Sequence, residues 1–184
     1  MVKHLISREI GIDYGHRIEL HGSRCRNCHG HRGRIEAYCE GELHDTGPQS
    51  GMILDFSFLK ELMMEHIDAP CDHGMILHVT DPLVRLFRPN WSDEDHRNTV
   101  EAVMRRGHMQ TEGLCGKLYL MDSTPTAENL ARHWFHRMEK AVVSRSDDKA
   151  SLVGIRVWET PNCSAAYGPY FGSLIPIVTS AGVQ

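Results

Sequence analysis

Apolar and polar positions alternate along residues 29–41. Ile35, Ala37 and Cys39 fall on one side and Arg34, Glu36, Tyr38 and Glu40 on the other, the two-residue period of a half-buried antiparallel strand. The same period returns at 151–160, where Val153, Ile155 and Val157 share a face. Residues 5–19 also read as mostly extended, with Gly11 and Gly15 as interruptions, and Gly51–Leu54 and Leu118–Met121 are apolar runs of strand length. Other stretches repeat at helical spacing. Phe56, Leu59, Met63 and Ile67 predict a helix over 56–67, with Asp55 as its N-cap and Pro70 forbidding its continuation. Ser92-Asp-Glu-Asp opens a helix over about 93–106, with acids in its first turn and Arg105-Arg106 in its last, as the helix dipole favours. Gly107 is its terminator. Thr124-Pro125 reads as a cap followed by proline at the first helical position, and Leu130, Trp134, Met138 and Ala141 carry that helix to about 143. The tail beyond Tyr167 is punctuated by Gly and Pro and is weakly apolar.

Strands before and after long helices, with hairpin-like adjacency, predict one α+β domain over 1–184 with an antiparallel sheet. The stretch 83–120 has its own helix and little evident link to the rest, so it reads as an insertion.

Composition narrows the function. The chain has 20 Lys+Arg against 24 Asp+Glu, a formal charge of −4, which gives no basic footprint for nucleic acid. No apolar run approaches the roughly 18 residues of a membrane-spanning helix, and the first residues lack the apolar core of a secretory signal. The expectation is a cytoplasmic protein without membrane or nucleic-acid partners. Its six cysteines, at 25, 28, 39, 71, 115 and 163, are too scattered for a disulfide framework. Histidine is in excess, 13 of 184 residues, and histidine is the commonest metal ligand.

The strongest local signal is Cys25-Arg-Asn-Cys28-His29-Gly30-His31. Residues two apart on an extended chain point the same way, so His29 and His31 can present two imidazoles to one point. His16, on the preceding extended segment, is the natural third ligand. Three neutral imidazoles with one open position make a catalytic zinc site. Cys25-x-x-Cys28 also admits a Cys₂His₂ structural site with His29 and His31, although neighbouring Cys28 and His29 would point apart. A redox reading is open too, but such a motif should open a helix rather than lead into a strand. Asp72-His73 is a possible acid–base pair. Glu159, ending an apolar strand, would need a hydrogen-bonding partner if buried. His133 and His136 read as a helical surface pair, His66, His78, His96 and His108 show no evident partners, and the methionines at 63, 64, 104 and 138 as core or gap filling.

In order along the chain, His16, Cys25-x-x-x-His29-Gly30-His31, Gly51-Met-Ile-Leu-Asp55-Phe56, Asp72-His73, Pro125-Thr126-Ala-Glu128-Asn129-Leu130-Ala131 and Glu159-Thr160 resemble the 6-pyruvoyl-tetrahydropterin synthase and 6-carboxytetrahydropterin synthase family, over roughly residues 4–82 and 117–168. The resemblance implies the tunnelling fold, a four-stranded antiparallel sheet with two helices on one face. It also implies trimers or hexamers with active sites between subunits. It assigns zinc to His16, His29 and His31, and a catalytic thiol to Cys25. Asp72 and His73 would work with that thiol from a neighbouring subunit. Glu159 would anchor the pterin ring, with Thr126 and Glu128 near its pocket. The implied substrate is 7,8-dihydroneopterin triphosphate. The product is a carboxytetrahydropterin, formed with loss of triphosphate and acetaldehyde on the 7-deazaguanine route to queuosine, or alternatively a pyruvoyl product. A reading from another class is a non-catalytic module stabilised by zinc. The chain departs from the family pattern at Tyr14-Gly15, at Cys28 and Cys71, where leucine is usual, and at Gly33, where an aromatic is usual.

Overall fold

The computed structural model describes residues 2–172. A long strand, β1 (His4–His16), is followed by a short 3₁₀ turn (Arg24–Arg26) and by β2 (His29–Gly41). The two strands pair antiparallel along their whole length, from His4↔Gly41 to His16↔His29. Gly11 and Gly15 therefore lie inside β1 and do not interrupt it. Ile10, Ile12, Tyr14 and His16 alternate inward and are buried. The expected strand at 51–54 does not form. That segment turns, and Ile53 and Leu54 drop into the core as isolated apolar anchors.

Helix α1 (Phe56–Met63) begins at Asp55, whose carboxylate accepts from the Ser57 N–H. The helical path does not stop before Pro70. A π turn (Met64–Asp68) leads into α2 (Ala69–Cys71). The Ala69 N–H reaches back five residues to the Met64 carbonyl, and this widened turn accommodates a proline that would clash in a regular helix. Next come β3 (Gly74–His78), α3 (Leu83–Phe87), α4 (Asp93–Arg106), β4 (His108–Gly113) and β5 (Gly116–Met121). A capping box of Ser92 and Asp95 starts α4, and Gly107, at φ 86°, ends it. Helix α5 (Ala127–Arg145) is capped by Thr126, two residues beyond the expected Thr124, so Pro125 precedes the cap. Strands β6 (Ala150–Thr160) and β7 (Cys163–Tyr167) and a short α6 (Pro169–Gly172) follow. The expectation for the tail lies, from residue 173, outside the described residues.

The sheet runs β4-β5-β3-β1-β2-β6-β7. It is mixed: β3 joins β1 in parallel and β5 joins β3 in parallel, whereas the other neighbours are antiparallel. The four-stranded antiparallel expectation is thus corrected to seven strands. β3 has no two-residue alternation because both its faces are covered. Ile76 packs into the main core beneath α1 and α5, and Leu77 into a second cluster with Val84, Val103, Leu118 and Leu120. That second cluster also corrects the insertion. Only residues 83–107 form a separate helical excursion, and it covers the reverse face of β3 and β5, while 108–121 are strands of the main sheet. Met63 and Met138 are core residues as expected, but Met64 and Met104 are exposed.

Candidate metal centre

The register of β1 and β2 builds the centre. His16 stands opposite His29 and Tyr14 opposite His31, with Gly15 opposite Gly30 between them. A Cβ on Gly30 would lie 2.9 Å from the Tyr14 carbonyl oxygen, so glycine lets the two strands approach where the imidazoles converge. One nitrogen from each of His16, His29 and His31 falls within 4.8 Å of the others. The ring centroids are 4.5–5.1 Å apart.

Two rings have their tautomers fixed. His16 Nδ1 lies 2.7 Å from the Pro125 carbonyl and His29 Nδ1 lies 2.8 Å from the Asn27 carbonyl. A carbonyl only accepts, so each Nδ1 carries the proton and each Nε2 keeps a free lone pair. The Nε2 atoms of His16 and His31 are buried without a hydrogen-bond partner, which is costly for a polar atom unless something ligates it. Burial, helped by the neighbouring His29 and His31, pushes His16 down to about 4 against the pull of the Pro125 carbonyl. The ring is therefore neutral at pH 7, as a metal ligand must be. The donor set suits zinc: three imidazoles and, among the described residues, no fourth side chain in the group.

Tyr14 is the residue that sequence reasoning undervalued. Its ring is 5.3 Å from His16 and 5.9 Å from His31 by centroid. It is buried, and it occupies the space above Gly33, where a Cβ would stand 2.8 Å from Tyr14 Cε1. The two departures from the family pattern are therefore one feature: the aromatic ring comes from β1 and the glycine beneath it from β2. Only pairing the strands in register could reveal this.

Glu159 sits at an irregularity of the β6–β7 pairing between Trp158 and Thr160, the kind of bulge that re-aims a side chain. Its carboxylate is 3.9 Å from His16 Nε2, so the sheet brings it to the rim of the triad. Cys25 lies on the 3₁₀ turn between β1 and β2, in a loop closed by the Ile18 N–H to the Cys25 carbonyl at 2.8 Å. Cys28 is exposed. Thr126 spends its hydroxyl on the Asn129 N–H as the cap of α5, and Glu128 is exposed in the first turn.

Asp72 and His73 are placed elsewhere. Asp72 accepts from the Asp13 N–H at 2.8 Å and bonds His73 Nδ1 at 2.7 Å. Burial raises the Asp72 carboxyl, but these two bonds outweigh it and hold the group below its usual range. His73 has a φ of 54° and a side chain 77% exposed. The pair neighbours Asp13 and Arg32, bonded to each other, whose side chains alternate to the face opposite His16. Within one chain the sheet thus separates Asp72-His73 from the triad.

Other histidines are more engaged than their spacing suggested. His133 is half-buried, with its Nε2 2.8 Å from the Tyr119 hydroxyl, which corrects the surface-pair expectation. His66 and His108 both meet Arg137, His78 meets Thr80 and the Asp122 carbonyl, and His96 packs edge-on against Trp91.

Comparison with known proteins gives the chain its family. The 6-carboxy-5,6,7,8-tetrahydropterin synthase of Rickettsia conorii is 33% identical over 159 residues, covering 85% of this chain and 94% of that protein. The protein of the same name from Haemophilus influenzae is 27% identical over 162 residues, covering 88% and 96%. The structure of Caenorhabditis elegans 6-pyruvoyl tetrahydropterin synthase matches with a TM-score of 0.56 at 22% identity, covering 91% and 96%, a likeness of fold. The family profile described as 6-pyruvoyl tetrahydropterin synthase matches residues 5–169, and with nearly the whole chain inside it, the protein belongs to that family of pterin synthases.

Proposed function

We propose that the protein is a zinc-dependent lyase that converts 7,8-dihydroneopterin triphosphate and one water to 6-carboxy-5,6,7,8-tetrahydropterin, triphosphate and acetaldehyde, in 7-deazaguanine synthesis. The observation that carries the metal is the pair of buried, partnerless Nε2 atoms on His16 and His31. The names of the relatives support the carboxy product. When bound, zinc would act as a Lewis acid that makes the substrate's side-chain hydroxyls easier to deprotonate.

The chain's own groups do the rest. His16, His29 and His31 hold the metal, with the Pro125 and Asn27 carbonyls orienting two of the rings. Cys25 takes a proton from the substrate side chain. Asp72 and His73 work with that thiol from a neighbouring copy, because the sheet keeps them from the triad of their own chain. Glu159 accepts hydrogen bonds from the pterin's 2-amino group and ring N3–H, and Thr126 and Glu128 shape that side of the pocket. This assignment requires a homo-oligomer, a trimer or hexamer, and a cytoplasmic setting fits reduced thiols; no helix among the described residues is long and apolar enough to cross a membrane.

The second reading is formation of 6-pyruvoyl-tetrahydropterin, which the description of the matching family favours. Mass analysis after incubation with 7,8-dihydroneopterin triphosphate decides among the readings. A carboxytetrahydropterin with acetaldehyde supports the proposal and a pyruvoyl product supports the second reading. Unchanged substrate with stoichiometric zinc indicates a non-catalytic module.

A further inference from the structure

A second polar cluster lies where the end of α4 meets β4, against the middle of α5. It surrounds a cavity of about 440 Å³ into which Arg106, Arg132 and Arg137 project, with His108 and His133 in its wall and Asp122 as the one acid lining it. Arg137 is unusual. Its guanidinium lies against the imidazoles of His108, through Nε2, and of His66, through Nδ1, and its Nε is buried without a hydrogen-bond partner. Arg17, Arg32, Arg85 and Arg145 each have a carboxylate within 4 Å. Among the described residues, no carboxylate reaches Arg106, Arg132 or Arg137 that closely.

The surrounding rings do not balance that charge. Burial first, and then the Arg137 guanidinium beside it, lowers the pKa of His108 and so favours its neutral ring. His133 is pushed down to about 3, chiefly by burial and then by His108 and Arg137. Neutral imidazoles therefore hold Arg137 in place while three guanidinium charges converge on one half-enclosed space. Arg137, the partly buried one of the three, is costly to keep charged without a counter-charge. The planar fork of arginine matches the oxygens of a phosphate.

We propose that this cavity binds a phosphate-type oxyanion, gripped by Arg106, Arg132 and Arg137. Its volume accommodates linked phosphoryl groups as well as a single one. The site is separate from the three histidines and does not rest on the reading of their function. A short segment joins the two: Asp122 and Ser123 line the cavity, and Pro125, three residues on from Asp122, orients His16.

The test is calorimetric titration of the zinc-loaded protein with inorganic phosphate and with inorganic triphosphate. Arg106 and Arg132 are exposed, so Arg106→Gln/Arg132→Gln should fold normally, and Arg85→Gln, on α3 and outside the cavity, controls for removing a surface arginine elsewhere. The double variant should bind triphosphate at least tenfold more weakly than the parent, with Arg85→Gln unchanged and zinc content equal in all three. Equal affinity in parent and double variant, or no binding to the parent, overturns the proposal. Two sources share this chemistry, a free oligophosphate and the phosphate tail of a larger metabolite. With triphosphate binding lost, a raised KM for 7,8-dihydroneopterin triphosphate in the double variant identifies the tail, and an unchanged KM identifies the free anion.

Discussion

Replacing Gly33 with alanine tests whether the Tyr14 ring truly occupies the space beside the triad. The added Cβ would stand 2.8 Å from Tyr14 Cε1 and 3.4 Å from the Trp158 carbonyl oxygen. The ring cannot swing away easily, because it is buried and flanked by His16 and His31. Overpacking of this kind costs about 1–3 kcal/mol. Replacing a strand glycine by alanine returns roughly 0.5–1 kcal/mol, so Gly33→Ala alone should destabilise by up to about 2.5 kcal/mol. In a Tyr14→Ala background the ring is gone and, of the three nearest atoms, the Trp158 carbonyl oxygen at 3.4 Å remains. The same change should then stabilise by about 0.5–1 kcal/mol. The difference between backgrounds is the clash itself, about 1–3 kcal/mol of coupling. Urea unfolding of the parent, both single variants and the double variant measures it. An equal effect of Gly33→Ala in both backgrounds would refute the steric argument and with it the pairing of these two positions.

Three further outcomes follow from the site. His31→Ala should lose zinc on purification, because two imidazoles seldom retain what three hold; stoichiometric metal in that variant by elemental analysis would remove the centre. Glu159→Gln should bind a pterin analogue about ten- to a hundredfold more weakly, since one acceptor of a charge-assisted pair becomes a donor at a loss of about 1.4–2.8 kcal/mol. Equal affinities at equal zinc occupancy would strike Glu159 from the site. His133 makes stability depend on acid. Its folded value of about 3 lies below the unfolded value of 6.5, so its contribution is complete above pH 6.5 and falls away as the pH drops toward 3. At pH 4.5 the loss reaches about 2–3 kcal/mol, and a His133→Gln protein should lack that part of the pH slope in urea melts.

The sequence was most readable where one face is wet and one dry. β2 alternates cleanly, with Arg34 and Glu36 turned away from the core that buries Ile35, whereas β6 keeps that pattern only around Ile155 and Val157, because the register shift opposite Tyr38 and Cys39 leaves Leu152, Val153, Gly154 and Ile155 all buried. Helices α4 and α5 announced themselves through acids, caps and stripe. β3 was invisible because both faces are covered, and β4 because an edge strand of His-Met-Gln-Thr-Glu-Gly carries no apolar stripe. The three histidines could be found because two-residue spacing is local and the third sat one hairpin away. Tyr14 could not, since its role depends on an absent side chain at Gly33 on another strand. Nor could the Arg137 cluster, whose members come from the π turn after α1, from α4, β4 and α5, and meet only when the sheet is complete.

The placement of Asp72-His73 across the sheet from the three histidines has a genetic consequence. If the two groups serve one reaction, each working centre draws on two polypeptides. A variant lacking His31 and a variant lacking His73 would each be dead alone. Co-expressed in one cell, they would assemble some centres with an intact triad from one parent and an intact Asp-His pair from the other. Such alleles should complement each other, whereas two alleles that both damage the triad should not. The pattern of complementation would therefore map which residues share a chain and which meet only between chains.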